Sequence, residues 1–128
     1  MEINRPEVLA EVEAVFARYE AALVSNDVVV LDELFYAAPT TIRYGMGENL
    51  HGIEEIRAFR LARPSNALKR ALARTVITTY GSDFATASTL FYRDAHPGKV
   101  GRQMQSWVRM ADGWRVVAAH VSIIDEPA

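Results

Sequence analysis

The second half of this sequence is dominated by long runs in which apolar or β-branched residues alternate with polar ones. Such alternation predicts β-strands, because successive side chains of a strand point to opposite faces. The Asp112-Gly113 pair between the last two runs is a strong hairpin signal. The sequence therefore predicts an antiparallel meander of four strands, over residues 74–80, 84–93, 100–110 and 114–124.

The beginning of the chain predicts helices instead. Pro6 and Glu7 suit the first turn of a helix, where a missing N–H costs nothing and a negative charge is favoured. The apolar residues that follow recur at helical spacing and form one stripe, made of Val8, Val12, Val15, Phe16, Tyr19 and Leu23. Ser25-Asn26-Asp27 ends this helix, and the Asp27 side chain can cap a second, short helix.

The middle of the chain predicts a short strand, a glycine-rich turn and a third helix. In the strand, alternation places Arg43 on the face opposite to Ile42 and Tyr44. An arginine within a strand must find either water on an exposed face or an anion on an enclosed one. Apolar residues at helical spacing predict a helix over residues 53–63, and Pro64-Ser-Asn ends it.

Helices followed by an antiparallel meander predict one α+β domain over residues 1–128, with the helices packed on one face of a curved sheet. The side chains of such a sheet do not fill its open end, so a pocket remains between the first helix and the sheet. The predicted helices suffice to cover one face of the sheet. The other face carries apolar residues whichever way the third long strand is turned, either Met104, Val108 and Met110 or Trp107 with the glutamines. We therefore expect a homodimer or a higher oligomer.

Composition and charge exclude several classes of function. The chain has 128 residues, a net charge of −2 and no cysteine. This charge gives no electrostatic case for binding nucleic acid or an anionic membrane, and the missing cysteines exclude disulfides and thiolate sites. His51 and His96 fall in predicted loops without the spacing of metal ligands. We expect no metal, no cofactor and, from the polar N-terminus, a cytoplasmic protein.

The order of elements, together with Gly-Trp-Arg-Val-Val-Ala-Ala-His-Val-Ser at residues 113–122, resembles the SnoaL-like branch of the nuclear-transport-factor-2-like superfamily. Four shorter stretches are similar to the small AtzH-like proteins: Asn-Arg-Pro-Glu-Val at 4–8, Thr-Ile-Arg-Tyr-Gly-Met-Gly-Glu-Asn at 41–49, Arg-Thr-Val-Ile-Thr-Thr-Tyr-Gly at 74–81, and Val-Gly-Arg-Gln at 100–103. The resemblance implies a cone-shaped α+β fold and a place beside amidohydrolases in ureide breakdown, oxalurate catabolism included. It also implies small, carboxylated, urea-like substrates.

Tyr19 and Arg43 are the candidate catalytic residues. Tyr19 faces the sheet from the first helix, either as a core tyrosine bonded to a backbone carbonyl or as a donor to a developing oxyanion. The resemblance to ketosteroid isomerases, which use a first-helix tyrosine in this way, favours the donor. Arg43 is either an exposed strand residue or, if it points inward, a bidentate clamp for a carboxylate. Together the two side chains would supply a donor and an anion anchor.

The last two strands supply further substrate-binding candidates. Gln105 and Trp107 share one face of their strand. Gln105 is either solvated or, as the same position in several relatives implies, faces the pocket and reads the amide of a ureide. His120 is the plausible neutral-pH general base of the sheet. Its alternative is a structural histidine, since an alternation that turned Ala119 inward would turn His120 outward.

Two binding candidates flank the third helix. Asn49 lies in the turn before this helix, and it is either a rim residue of the pocket or part of a solvated loop. Arg60 either belongs to the polar face of the helix or leans toward the mouth of the pocket.

The candidates together predict a protein that binds a small anionic substrate between the first helix and the sheet. The substrate would be a carboxylated ureide, which the protein hydrolyses or decarboxylates. The alternative is a non-catalytic ligand-binding or partner module that supports an amidohydrolase, with the outer face of the sheet as its contact surface.

Overall fold

The computed structural model describes residues 1–63 and 69–127, and within these ranges the chain forms three helices and a six-stranded sheet. The helices are α1 (Pro6–Ser25), α2 (Val28–Leu34) and α3 (Ile53–Ala62). The strands are β1 (Ile42–Tyr44), β2 (Asn49–His51), β3 (Ala71–Tyr80), β4 (Phe84–Tyr92), β5 (Lys99–Met110) and β6 (Gly113–Asp125). The predicted helix break at Pro64 lies outside the described residues.

The helix ends follow the signals in the sequence. α1 begins at Pro6 and ends before Asn26, which adopts a left-handed conformation with φ of 54°. The Asp27 side chain accepts a hydrogen bond from the Val30 N–H at 3.2 Å and caps α2. The tight turn between α1 and α2 therefore holds the two helices side by side.

The strands are arranged in the order β2-β1-β6-β5-β4-β3. The predicted meander is confirmed as the antiparallel series β3 to β6. Two features differ from the prediction. β1 pairs in parallel with β6, and β2 is an additional short strand, antiparallel to β1, inside the region predicted as a turn. The sequence of β2, Asn-Leu-His, lacks the β-branched residues that mark a strand.

A bulge between β5 and β6 decides which side chains of β6 point inward. Trp107 pairs with Val116, whereas Ser106 pairs with Ala118, so Val117 is an extra residue on β6. An extra residue reverses the alternation beyond it. As a result Val116 and Ala119, which lie an odd number of positions apart, both face the core.

The core lies between the helices and one face of the sheet, which we call the inner face. Its central inward side chains are Ala87 on β4, Gln105 and Trp107 on β5, and Ala119 on β6, all of them buried. The predicted α+β architecture is confirmed, with the N-terminal helices packed on a curved, unclosed sheet. In the described part of the chain, no helix is both long enough and apolar enough to cross a membrane.

Candidate anion-binding site

Tyr19 lies inside the domain, between α1 and the inner face of the sheet. Only 3% of its surface is exposed. Its ring packs edge-on against Trp107 and at an angle against Phe35, with a distance of 6.3 Å between ring centroids in each case. These contacts fix the ring in the orientation expected from the stripe of α1.

Arg43 points inward from β1, which settles its orientation in favour of the enclosed face. Its side chain is 11% exposed, and Nη1 donates to Oε1 of Glu48 at 2.8 Å. Its guanidinium carbon lies 5.6 Å from the centroid of the Phe59 ring. In the sheet, Arg43 pairs with Ala119, and Ala119 pairs with Gln105. Arg43 and Gln105 therefore lie on one cross-strand row of the inner face, separated by a small side chain.

The ion pair of Arg43 with Glu48 depends on a glycine. A Cβ atom on Gly45 would lie 1.7 Å from Oε1 of Glu48 and 3.0 Å from Nη1 of Arg43. The Glu48 carboxylate also accepts a hydrogen bond from the Gly47 N–H at 3.2 Å. The turn between β1 and β2 thus folds this carboxylate back against the guanidinium.

Arg60 is a buried charge without an acidic partner among the described residues. It follows Ile56 by four positions on α3, faces inward with it, and is 6% exposed. The guanidinium carbon lies 4.2 Å from the centroid of the Phe35 ring, and Nη1 is buried without a hydrogen-bond partner in the described part of the chain. Burial is the main cause that lowers the pKa of Arg60 to about 10, and the neighbouring Arg43 and Arg63 act in the same direction.

Further arginines extend this positive region. Nε of Arg63 and Nε of Arg93 are buried without hydrogen-bond partners among residues 1–63 and 69–127, and burial is the main cause that lowers the pKa of both groups. Arg70, in contrast, forms a bidentate ion pair with Glu20 of α1, at 2.6 Å and 3.0 Å. Among the described residues, the interior therefore contains more guanidinium groups than carboxylates, and this excess of positive charge favours the binding of an anion.

The inner face also carries two glutamines, each 2% exposed. Gln103 accepts a hydrogen bond from Nη2 of Arg70 at 3.0 Å, and Gln105 accepts one from Nε1 of Trp107 at 3.1 Å. The Nε2 atom of each glutamine is buried without a partner among the described residues. Gln105 is on the predicted face, and Trp107 lies beside it with its indole N–H engaged.

His120 lies outside this site, and its prediction as a residue of the inner pocket is wrong. The extra residue Val117 turns Ala119 inward and His120 outward. The His120 side chain is exposed, and its ring meets Tyr44 edge-on at a centroid distance of 6.2 Å. Among residues 1–63 and 69–127, no group of three or more His, Asp or Glu side chains could hold a metal ion.

The prediction that Asn49 is a rim residue of the inner pocket is also wrong. Its neighbour Leu50 is buried and pairs with Arg43, so alternation along β2 directs Asn49 to the opposite face, where it is exposed. The rim position is occupied instead by Glu48, the residue that precedes β2 and reaches back to Arg43.

The sequence predictions did not include several members of the site. Gln103 has a readable signal, because it precedes Gln105 by two positions on the same strand. Arg63, Arg70 and Arg93 lie at or beyond the ends of helices and strands, where no periodicity indicates the direction of a side chain.

Comparisons with known proteins agree with this fold. A family model described as AtzH-like matches residues 1–127. A protein of unknown function from Pectobacterium atrosepticum is 64% identical, with a TM-score of 0.93 over 96% of this chain and 95% of that one. A protein with a cystatin-like fold from Burkholderia xenovorans is 52% identical, with a TM-score of 0.95 over 99% of both chains. An NTF2-like protein of unknown function from Pseudomonas putida, 15% identical over 92% of this chain and 87% of that one, shares the fold with a TM-score of 0.75. No curated protein matches the sequence.

Proposed function

The chain belongs to the AtzH-like family, and we propose that it binds a small carboxylated ureide between α1 and the inner face of the sheet and turns it over. The observation that carries this proposal is Arg60, a guanidinium that is 6% exposed and whose Nη1 has no partner among the described residues. A buried charge is costly unless it is paired and hydrogen-bonded. A carboxylate of the ligand would supply both the charge and the acceptor.

The proposed carboxylate clamp consists of Arg60 and Arg43. Arg43 commits Nη1 to Glu48, and the other N–H groups of its planar guanidinium remain as donors in a fork that matches a carboxylate. The pKa of Arg60 falls to about 10, so this group remains a cation at neutral pH. A carboxylate of the ligand bound here would interact with two positive charges, those of Arg60 and Arg43.

Tyr19 is the proposed proton donor of the reaction. An N-carboxylated urea loses carbon dioxide when its N–C bond breaks and the bonding electron pair remains on nitrogen. The Tyr19 O–H would give this nitrogen a proton, and the phenolate would recover one from water. Hydrolysis would instead require a base that activates water. The inner polar groups described above are chiefly donors, and Glu20 and Glu48 are engaged in ion pairs, so we propose decarboxylation ahead of hydrolysis.

Turnover of two ureides tests this proposal. Allophanate is an N-carboxylated urea and should yield urea and carbon dioxide, whereas oxalurate can be consumed by C–N hydrolysis. We expect Tyr19→Phe to reduce kcat by about 10²–10³-fold. Arg60→Met should raise KM by about 10–100-fold, because a charge-assisted contact is lost. The matched control is Arg57→Met on the same helix, since Arg57 is paired with Asp32 at the surface.

Consumption of neither ureide above the uncatalysed rate would contradict the enzymatic proposal. The second candidate function is a module that binds the ureide and supports an amidohydrolase. It is favoured by the outward position of His120, which removes the predicted general base from the site. Binding without turnover, together with co-purification of an amidohydrolase that Met104→Asp abolishes, would establish this second function.

A further inference from the structure

The orientation of the two inner glutamine amides is fixed by their neighbours. The guanidinium of Arg70 and the indole N–H of Trp107 can donate hydrogen bonds and cannot accept them. The Gln103 and Gln105 atoms that face these groups must therefore be the carbonyl oxygens, at 3.0 Å and 3.1 Å. A rotated amide would bring two donors together in a buried place.

This orientation leaves both NH₂ groups as buried donors. Each Nε2 has no hydrogen-bond partner among the described residues, although each glutamine is 2% exposed. An unsatisfied buried donor is unfavourable, and natural structures contain few of them. Two of them on one face of one strand, next to an interior with excess positive charge, indicate that something else supplies acceptors.

We propose that Gln103 and Gln105 form a pair of donors that recognises hydrogen-bond acceptors on the ligand, with Arg70 and Trp107 as the residues that orient them. This inference rests on the proposed function for the identity of the ligand. It adds that the edge of the ligand facing β5 carries carbonyl or carboxylate oxygens. A ligand that presents an N–H group to this strand is rejected, because donor would meet donor.

Arg70 has a second effect through Glu20. Its bidentate ion pair joins the start of β3 to α1, and the same Nη2 atom that meets Glu20 Oε1 at 2.6 Å also donates to Gln103. The Arg70 side chain is 1% exposed and lies over the Phe91 ring at 4.6 Å. The position of the Gln103 amide is therefore tied to the spacing between α1 and the sheet.

Binding of oxalate and oxalurate by titration calorimetry tests the donor role. Each glutamine is replaced by Met, which keeps the volume and removes the donor, and by Glu, which replaces the amide with a carboxylate. We expect the affinity relative to the wild type to fall about 10-fold in Gln105→Met and Gln103→Met. At pH 8 it should fall more than 100-fold in Gln105→Glu and Gln103→Glu.

The pH dependence separates a donor from a merely structural residue. A protonated Glu carries an O–H donor, so Gln105→Glu should recover affinity relative to the wild type as the pH is lowered to 5. Gln103→Glu should not recover it, because the adjacent Arg70 guanidinium favours the ionised carboxylate. The Met variants have no such group, and their ratio to the wild type should stay constant. Equal affinities in wild type and all four variants, or an affinity ratio of Gln105→Glu that does not change with pH, would overturn the inference.

A double-mutant cycle tests the positioning role of Trp107. Trp107→Phe keeps an aromatic ring against Tyr19 and removes the N–H, and it should weaken oxalate binding about 3–10-fold. In the Gln105→Met background the same change should have almost no effect. Arg70→Lys and Gln103→Met form the second cycle, so the test does not depend on the folding of one variant. Additive losses in both cycles would overturn the positioning roles.

The outcomes for the proposed function are distinct. If the wild type binds oxalate with the predicted variant pattern but neither binds nor consumes a ureide, the proposed function fails and the donor pair stands. If the wild type turns over a ureide and the glutamine variants match it, the donor pair fails and the function stands. A wild type that binds neither oxalate nor oxalurate overturns both.

Discussion

The Arg60 guanidinium carbon lies 4.2 Å from the centroid of the Phe35 ring. This buried cation therefore packs against an aromatic face, whereas a buried arginine is ordinarily paired with a carboxylate. A cation–π contact of this kind contributes about 0.5–2 kcal/mol. The lowering of the Arg60 pKa to about 10 corresponds to roughly 3 kcal/mol that burial and neighbouring cations cost the charged form. The free-energy cost of burying the charge exceeds the cation–π contribution. We therefore interpret Arg60 as a residue that serves ligand binding and not stability.

The first prediction follows from this balance. Arg60→Met keeps the apolar stem and removes the charge, so it should stabilise the unliganded protein by about 1–2 kcal/mol and raise Tm by about 3–6 °C. Arg57→Met, which breaks a partly exposed ion pair with Asp32, should change stability by less than about 1 kcal/mol. Thermal unfolding followed by circular dichroism measures both. A loss of stability in Arg60→Met would show that its contacts outweigh its burial.

The second prediction concerns Glu48, which occupies one donor of Arg43 at 2.8 Å. Glu48→Gln keeps the size of the side chain and removes a negative charge, so oxalate should bind about 3–10-fold more tightly. Glu54→Gln serves as the control, because Glu54 is exposed and contacts Arg57 rather than the site. Weaker oxalate binding in Glu48→Gln would mean that this carboxylate holds Arg43 in its binding position.

The third prediction concerns Gly101 on β5, against which the Phe91 ring packs. A Cβ atom at this position would lie 2.1 Å from Cζ of Phe91, so the ring would have to move. Gly101→Ala should therefore destabilise the protein by about 1–3 kcal/mol. Because Arg70 and Arg93 both lie over this ring, anion binding should weaken as well. Gly47→Ala is the control, since, apart from its chain neighbours, no heavy atom of the described residues lies within 4 Å of the added Cβ. Equal stability of the two variants would contradict this prediction.

The fourth prediction concerns self-association through the outer face of the sheet, the face opposite to α1. A cross-strand row there consists of Val76, Ser88, Met104, His120 and Tyr44, and Met104 is 54% exposed. An exposed apolar surface on a sheet favours a self-complementary contact between two copies. Sedimentation at micromolar concentration should give at least about twice the mass of 14.3 kDa.

Met104→Asp should shift the protein toward the monomer mass, because a desolvated carboxylate at the contact is costly. Val29→Asp is the matched control, since Val29 is exposed on α2, away from the sheet. A wild type that sediments at the monomer mass would contradict the prediction.

Periodicity suffices to place the side chains that lie within long, regular elements. Helical spacing along α1 predicts that Tyr19 faces the sheet, and alternation along β5 predicts that Gln105 and Trp107 share a face. Alternation does not predict the orientation of His120, because a single extra residue, Val117, reverses the alternation of β6. Nothing in Val116-Val117-Ala118 marks the bulge, since β-branched and small residues suit a regular strand equally well.

Periodicity does not predict the directions of side chains at the ends of helices and strands. The pairing of Arg70 with Glu20 joins residues 50 positions apart, and the stacking of Arg93 on Phe91 depends on where β4 ends. Arg60 lies between these cases. Its spacing from Ile56 predicts the inward face, but its charge favours the opposite prediction, that of a solvated helix surface. In the structure Arg60 is buried on the inward face of α3, as its spacing from Ile56 predicts.

A crystal structure of the protein grown with saturating oxalurate would show directly whether a ligand occupies the proposed site. We expect the ligand between α1 and the inner face of the sheet, with a carboxylate oxygen about 3 Å from Nη1 of Arg60. We also expect an acceptor oxygen of the ligand about 3 Å from Nε2 of Gln105. An interior without ligand density under these conditions, or a ligand bound solely at the outer face beside His120, would contradict the proposed site.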